Sequence, residues 1–284
     1  MSEAQHAAGY WALLRMEFWK LLKRGRTYIG PLGLAAIVLP TVIAFKHGEF
    51  ARDIERFMES DLVLIGSPFN ALFIARAVLP PTVFFFLPLF VSLVAGDQVS
   101  GEAGDGTLRS LLVRPISRVK LLAAKFTVSL TYALFLTVFL GVLAFGTGWL
   151  FFGIGALVSW SDGLRYFGVQ EGMERLLLAY ATVGVYLVAV SGVAFLLSVF
   201  FNGSLAPVGG TMAIMLVLGT LGQLSYFEKL KPWLFTTYVD LFIRSFDIPL
   251  DLADFQKGAL VQVGWGITCF LIALFIFRRK DVLS

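Results

Sequence analysis

The sequence predicts an all-α membrane protein with six transmembrane helices. Three observations carry that expectation. Of the 284 residues, 58% are hydrophobic and only 15% charged, against about 25% charged in soluble domains. The apolar residues are blocked into runs close to the ~20 residues that a helix needs to cross a bilayer. The runs also lack the alternation of apolar and polar residues that strands of a transmembrane β-barrel require. Length alone would allow one or two soluble domains, but the blocked pattern points to one polytopic membrane domain.

The six expected spans are residues 28–45, 77–96, 126–152, 176–201, 205–224 and 258–277, within a transmembrane domain of 28–277. The first is short and the third and fourth are long, which implies tilt or overhang. The fourth and fifth are separated only by Asn202, Gly203 and Ser204, room for a tight helical hairpin, with Pro207 tolerated in the next first turn. Thirteen of the 23 bases fall in the segments that would be inside if the N-terminus is inside, and those segments are the shorter in total. That bias predicts both termini, including the tail 278–284, in the cytoplasm. The stretch MSEAQHAAGYWALLRMEFWK does not read as a cleavable signal peptide.

Before the first span, within residues 1–27, Trp11, Leu14, Phe18, Leu21 and Leu22 follow helical spacing. Glu17, Lys20 and Arg24 fall on the opposite side, while Arg15 lies within the apolar arc. This predicts an N-terminal interfacial amphipathic helix. Phe50, Ile54, Phe57 and Met58 repeat the pattern in the first outer loop. The outer loop 225–257 is too apolar to be free and too interrupted to span, and predicts a short re-entrant or surface helix around residues 234–246. A seventh span there would put Asp240 and Arg244 at its centre.

The spans, bounded in this way, contain no Asp, Glu, Lys, Arg or His. That disfavours ion-coupled transport, which usually needs intramembrane charge. The dipeptide Gly-Lys is absent, so no P-loop can cradle a nucleotide. His6, His47 and Cys269 are isolated, which predicts no metal site and no internal disulfide. No G-x-S-x-G points to a hydrolase. Small-residue pairs that would let helices approach closely are Ala206/Gly210 and Gly209/Ala213 in the fifth span and Ala144/Gly148 in the third. Intrachain packing and dimerisation through the fifth span both fit them. Thr82, Ser92, Thr137, Tyr186 and Gln223 are polar groups available to a pathway.

The polar stretch from residue 97 to 125 follows the second span directly. Gly101, Gly104 and Gly106 are expected to loosen the chain. Thr107 suits a helix N-cap, Leu108, Leu111 and Leu112 form an apolar face, and Arg109 lies opposite. Pro115 stops that helix and biases Arg114 away from helical geometry. Ser117 caps a second helix, residues 118–125, that runs into the third span. Two short surface helices tied to two spans would transmit a push from a soluble partner. A solvated loop that only sets topology fits the same residues.

The string GEAGDGTLRSLLVRPISRVKLLAAK resembles the loop after the second span of ABC-2 type transporter permeases. The matching positions are Glu102, Gly106-Thr107-Leu108, Leu111-Leu112, Pro115, Ser117 and Lys125, with Asp105 in the place of a second acid. The six-span plan is similar as well. The resemblance implies an ABC-2 (type V exporter-like) fold with cytoplasmic coupling helices between spans 2 and 3. It implies a membrane subunit of the inner (cytoplasmic) membrane, without catalytic residues or cofactor of its own. Two copies would work with two separate ATP-binding subunits, which bind ATP and Mg. Glu102, Asp105, Thr107, Leu108, Arg109, Leu111, Leu112 and Arg114 would then couple to the ATPase, supported by Arg15, Lys20 and Lys23 of the N-terminal helix. Two rival readings remain on sequence: an ATPase-associated membrane scaffold regulating an outer protein, and a membrane-embedded lipid enzyme.

Overall fold

The computed structural model describes residues 9–47, 69–107, 116–160 and 164–279. Helix α1 (Tyr10–Lys23) ends where Arg24 turns extended, and α2 (Arg26–His47) follows almost at once with Pro31 and Pro40 inside it. Helix α3 (Ala71–Ala95) is capped by Asn70, whose side-chain oxygen accepts from the Phe73 N–H at 3.1 Å. Its middle, Thr82–Phe86, widens to a π-helical turn just after Pro80 and Pro81, as expected where a missing N–H disrupts the ladder. Helix α4 (Asp97–Gly104) continues after a bend at Gly96. Then come α5 (Arg118–Phe152), strands β1 (Leu157–Trp160) and β2 (Leu164–Phe167), α6 (Val169–Phe200) and α7 (Leu205–Leu221). Short 3-10 turns at Ser225–Phe227, Lys231–Trp233 and Phe235–Tyr238 lead to α8 (Leu241–Arg244) and to α9 (Leu252–Arg279).

Among the described residues five helices are long and apolar enough to cross a membrane: α2, α3, α5, α6 and α9. The sequence expectation of six included 205–224, but α7 has only 17 residues. Glycines and serine near its end are poor helix formers, and the chain leaves the helix at Gly222. The spanning helices extend beyond the charge-free runs. Arg76 lies in α3 and Lys125 in α5, each one residue outside the boundary drawn from hydropathy. Lys125 is tolerated there by its buried partners Glu17 and Glu102, whereas Arg76 lies over the Phe246 ring. The β1–β2 hairpin was not anticipated, although Asp162-Gly163 between two short apolar runs is a hairpin signal.

Helix α6 is the hub, two thirds buried (67%) over its apolar window against 22% for α2. It packs on α9, α5, α3 and α7. The tightest approach is glycine on glycine: a Cβ at Gly192 would lie 2.7 Å from the Gly266 Cα, and one at Gly266 3.0 Å from the Val188 carbonyl oxygen. Dispersion drives helix association in lipid, so such contacts are the adhesive. Ala144 and Gly148 are likewise used within the chain, with a Gly148 Cβ meeting the Ala71 Cα at 2.9 Å.

The two ends of the bundle are distinct. At one end Gly104 of α4 abuts the Asn202 carbonyl in the α6–α7 turn, and Arg118 donates to the Phe277 and Arg278 carbonyls at 3.4 and 3.2 Å. At the other, Arg175 of α6 donates to Ser245 and Asp247 carbonyls at 3.2 and 2.8 Å, and Gly258 of α9 abuts Tyr238 and Leu241. The loop 225–251 is thus folded onto the bundle, with Phe235, Leu241, Phe242 and Phe246 buried. The outer-loop segment around residues 50–58 lies outside the described residues.

Gly192→Ala is expected to force α6 and α9 apart and to lower thermal stability in detergent by about 1–3 kcal/mol. Gly184→Ala, where an added Cβ meets nothing within 4 Å, should be neutral or stabilising. Equal melting curves for both variants would show that the glycine crossing does not hold the bundle.

Candidate functional site

The inner face of α1 is Leu13, Glu17 and Leu21, spaced by one helical turn and all buried. An acid in the middle of such a stripe needs a partner. Glu17, 2% exposed, meets Lys125 of α5, 1% exposed, at 2.8 Å. Lys125 also reaches Glu102 of α4 at 2.8 Å. Lys20, one turn from Glu17, closes the ring at 2.9 Å to Glu17 and 2.8 Å to Glu102. Two carboxylates and two ammonium groups from three helices therefore neutralise one another, three of them buried and Lys20 at the edge, 31% exposed. Such pairing is what makes buried charge tolerable.

A second node lies one turn back along α4. Asp97 accepts from Arg26 at 2.7 Å and from Arg24. Gly101 makes room for it, since a Cβ there would lie 2.3 Å from the Asp97 carboxylate. The glycines expected to loosen this stretch therefore have other uses. Gly101 and Gly104 sit inside α4 and permit close approach, and only Gly106 takes a positive φ, +69°. Two further bonds tie the same region to α5: Tyr10 with Thr127 at 2.9 Å, and the Tyr132 hydroxyl donating to the Thr27 carbonyl at 2.8 Å.

The two nodes enclose only about 10 Å3 of free space, room for about one water molecule. The arrangement is a linkage and not a ligand pocket. Burial opposes the charge on Glu102, but Lys125 and Lys20 outweigh it and hold its pKa below the ordinary carboxylate value. Burial likewise opposes the Lys20 charge, but its hydrogen bond to Glu102 and the field of Glu17 raise its pKa above the usual lysine value.

The spacing set Glu17, Lys20 and Arg24 on the side opposite Trp11, Leu21 and Leu22; in the structure that side faces α4 and α5, and Leu21 is buried with it. The three charges turn inward because α4 and α5 offer complementary charge, while Trp11, 77% exposed, Trp19 and Leu22 face outward. Glu102, expected to meet a soluble partner, is buried and ion-paired. Asp105 and Thr107 are exposed at the rim, the Thr107 hydroxyl donating to the Glu102 carbonyl at 3.3 Å. Arg15 and Lys23 are exposed, with the Lys23 ammonium 5.9 Å from the Trp19 ring centre. Leu108, Arg109, Leu111, Leu112 and Arg114 lie outside the described residues. Ser117 does occupy the N-cap position of α5, without a side-chain capping bond. Glu17, Asp97, Arg24 and Arg26 escaped the sequence reading of the site. The one available signal was Glu17 at four-residue spacing from both Leu13 and Leu21.

Lys125→Met leaves two buried acids with one base and is expected to cost about 3 kcal/mol, read as a lowered melting temperature in detergent. A melting curve equal to wild type would show that the ring is not closed. The pH response follows from the two shifts. The Glu102 contribution is present above the unfolded carboxylate value of ~4.3 and lost as pH falls through the lowered native value. The Lys20 contribution is present below ~10.4 and lost as pH rises through its raised value. Stability should be level between about pH 5.5 and 9.5 and fall on acidification. Glu102→Gln should make the acid limb shallower, and an unaltered slope would exclude Glu102 as a contributor.

A family model described as "ABC-2 family transporter protein" matches residues 13–222, a stretch that contains most of α1 and all of α4 and α5. The chain is also 30% identical over 202 residues to "Uncharacterized protein YhcI" of Bacillus subtilis (strain 168), covering 68% of this chain and 64% of that one. The ring of Glu17, Lys20, Glu102 and Lys125 thus lies inside the matched region, in a multi-helix chain built for a membrane. This chain belongs to the ABC-2 family of transporter proteins, the membrane components of ABC transporters.

Proposed function

We propose that this chain is the permease subunit of an ATP-driven exporter, and that two copies work with two separate ATP-binding subunits. The observation that carries the reading is the buried ring. It ties the segment that follows α3 to the N-terminal helix and to α5 at once. Force applied by a soluble partner to residues 105–115 would reach α5 through Lys125 and α1 through Lys20. Packed elements held this way move as units between discrete arrangements. Contact with the partner falls to the exposed rim, Asp105, Thr107, Arg15 and Lys23, with Glu102 transmitting from behind. ATP and Mg belong to the partner.

The membrane arrangement proposed has six crossings: α2, α3, α5, α6, α7 and α9. At 17 residues, α7 is at the lower limit of spanning length, about 25 Å. The ion-ring end carries Arg24, Arg26, Arg118, Arg278 and Arg279, which suits the cytoplasmic side of the inner membrane. Helix α1 would lie in the interface with its tryptophans toward lipid.

The fifth-span pairs support a dimer in part. Gly210 is consumed within the chain against Leu197 at 2.9 Å, whereas Gly209 and Ala213 are exposed and a Cβ at Gly209 meets nothing within 4 Å. That open small-residue stripe is where a second copy would pack. Beside it a cleft of about 960 Å3 lies between α3, α6 and α7, walled by Phe84, Phe85, Met212, Met215 and Leu216. Of the polar candidates, Tyr186 and Gln223 line this cleft, whereas Thr82 and Ser92 bond back to their own helix. An amphiphilic cargo suits such walls.

Asp105→Lys is expected to weaken co-purification of the ATP-binding subunit, more strongly at low salt. Unchanged association and salt response would place the contact elsewhere. Gly209→Leu should abolish crosslinking between copies in membranes while leaving the melting temperature intact. Persistent crosslinks would move the dimer to another face.

A further inference from the structure

Arg76 stands in the second turn of α3, at the end of the bundle opposite the ion ring. Its guanidinium lies over the Phe246 ring, 4.7 Å from the centre. Among the described residues it makes no hydrogen bond and no ion pair. Asp247 is close enough for its field to favour the Arg76 charge, but its ion pair is with Arg165 at 3.5 Å; Glu171 pairs with Arg175 at 3.3 Å, and Asp240 and Asp254 with Arg244 at 3.0 and 3.1 Å. Arg175 also donates to the Ser245 and Asp247 carbonyls. Five N–H donors of Arg76 are therefore left over on a half-buried side chain within a spanning helix.

Beside the guanidinium is a cavity of about 190 Å3 lined by Phe73, Ala77, Pro80, Phe242, Ile243 and Phe246. Arg76 supplies the one charge in a wall that is otherwise apolar. Charge within a span marks a functional site when it faces a cavity. A guanidinium fork matches the two oxygens of a phosphate or carboxylate. The apolar remainder suits a hydrocarbon chain and offers nothing to a hydrated ion.

We propose that Arg76 and this cavity bind the anionic head of a membrane amphiphile. Its phosphate or carboxylate sits on the Arg76 guanidinium, and the first part of its chain lies against Phe73, Pro80, Phe242 and Ile243. The site is separate from the cleft beside α7 and does not depend on the exporter reading. Occupancy would complete the donor set of Arg76 and brace α8 against α3.

The test uses the full chain, purified and depleted of lipid, with retained ligand counted by native mass spectrometry. The probes are dioleoylphosphatidylglycerol, oleate, dioleoylphosphatidylcholine and inorganic phosphate. Phosphatidylglycerol and oleate are expected to bind in preference to phosphatidylcholine, and inorganic phosphate not to compete. Arg76→Gln should weaken both by about tenfold or more, the loss of a charge-assisted bond, with Arg76→Lys in between. Ile243→Trp fills the cavity but keeps the charge, and should displace the ligand even if Arg76→Gln proves unstable. Equal retention by Ile243→Trp and wild type would overturn the proposal. So would competition by inorganic phosphate, which would make the site one for a free anion. Preference for oleate alone would assign the carboxylate, and for phosphatidylglycerol alone the phosphate.

Discussion

The contact between Glu17, Lys20, Glu102 and Lys125 is the constraint on which the arrangement at one end of the molecule depends. Three helices of different kinds meet there: an amphipathic one, α1, a short one, α4, and the start of a 35-residue helix, α5. None of the four charges is tolerable alone in so apolar a setting. Together they favour α1 lying against both α4 and α5, because removing α4 or α5 leaves an unbalanced charge on the other two helices. The neighbouring Asp97 node adds the junction of α1 and α2 to the same assembly.

The rest of the bundle is held by a different force. Helices α6 and α9 cross where two glycines let their backbones touch, and α5 meets α3 at Gly148 in the same manner. These contacts rest on dispersion, which has no direction beyond shape. The combination has a mechanical consequence. Apolar helix faces can slide by small steps, whereas the ion ring fixes one end in register. The ring lies inside the region that the family model matches.

Much of the site was hidden in the sequence for a simple reason. Hydropathy draws a span boundary where the first charge appears, so Arg76 and Lys125 each marked an edge and were excluded from the helix that carries them. An amphipathic pattern likewise assigns charges to the outer face by default. Glu17 defied that rule at four-residue spacing from both Leu13 and Leu21, yet one helix cannot reveal that Lys20 has a partner 82 residues away at Glu102 and Glu17 one 108 residues away at Lys125. The β1–β2 hairpin failed differently, because its strands are only four residues each and sit between two strong helix signals.

The amino-acid sequence by itself determined that the chain is helical and membrane-embedded, where most spanning helices run, and that residues 102–125 resemble the coupling loop of ABC-2 permeases. The first two are properties of local composition and periodicity, set by the solvent that each segment prefers; the resemblance rests on the motif residues themselves, Glu102, Gly106-Thr107-Leu108, Leu111-Leu112, Pro115, Ser117 and Lys125. Only the tertiary structure decided that Glu102 faces inward, that Gly101 serves Asp97, that Gly210 is spent within the chain while Gly209 stays open, and that Arg76 makes no ion pair among the described residues. Each of these depends on which residues meet across helices. Charge pairing and close packing act over a few ångströms between segments far apart in the chain, and no single segment carries that information.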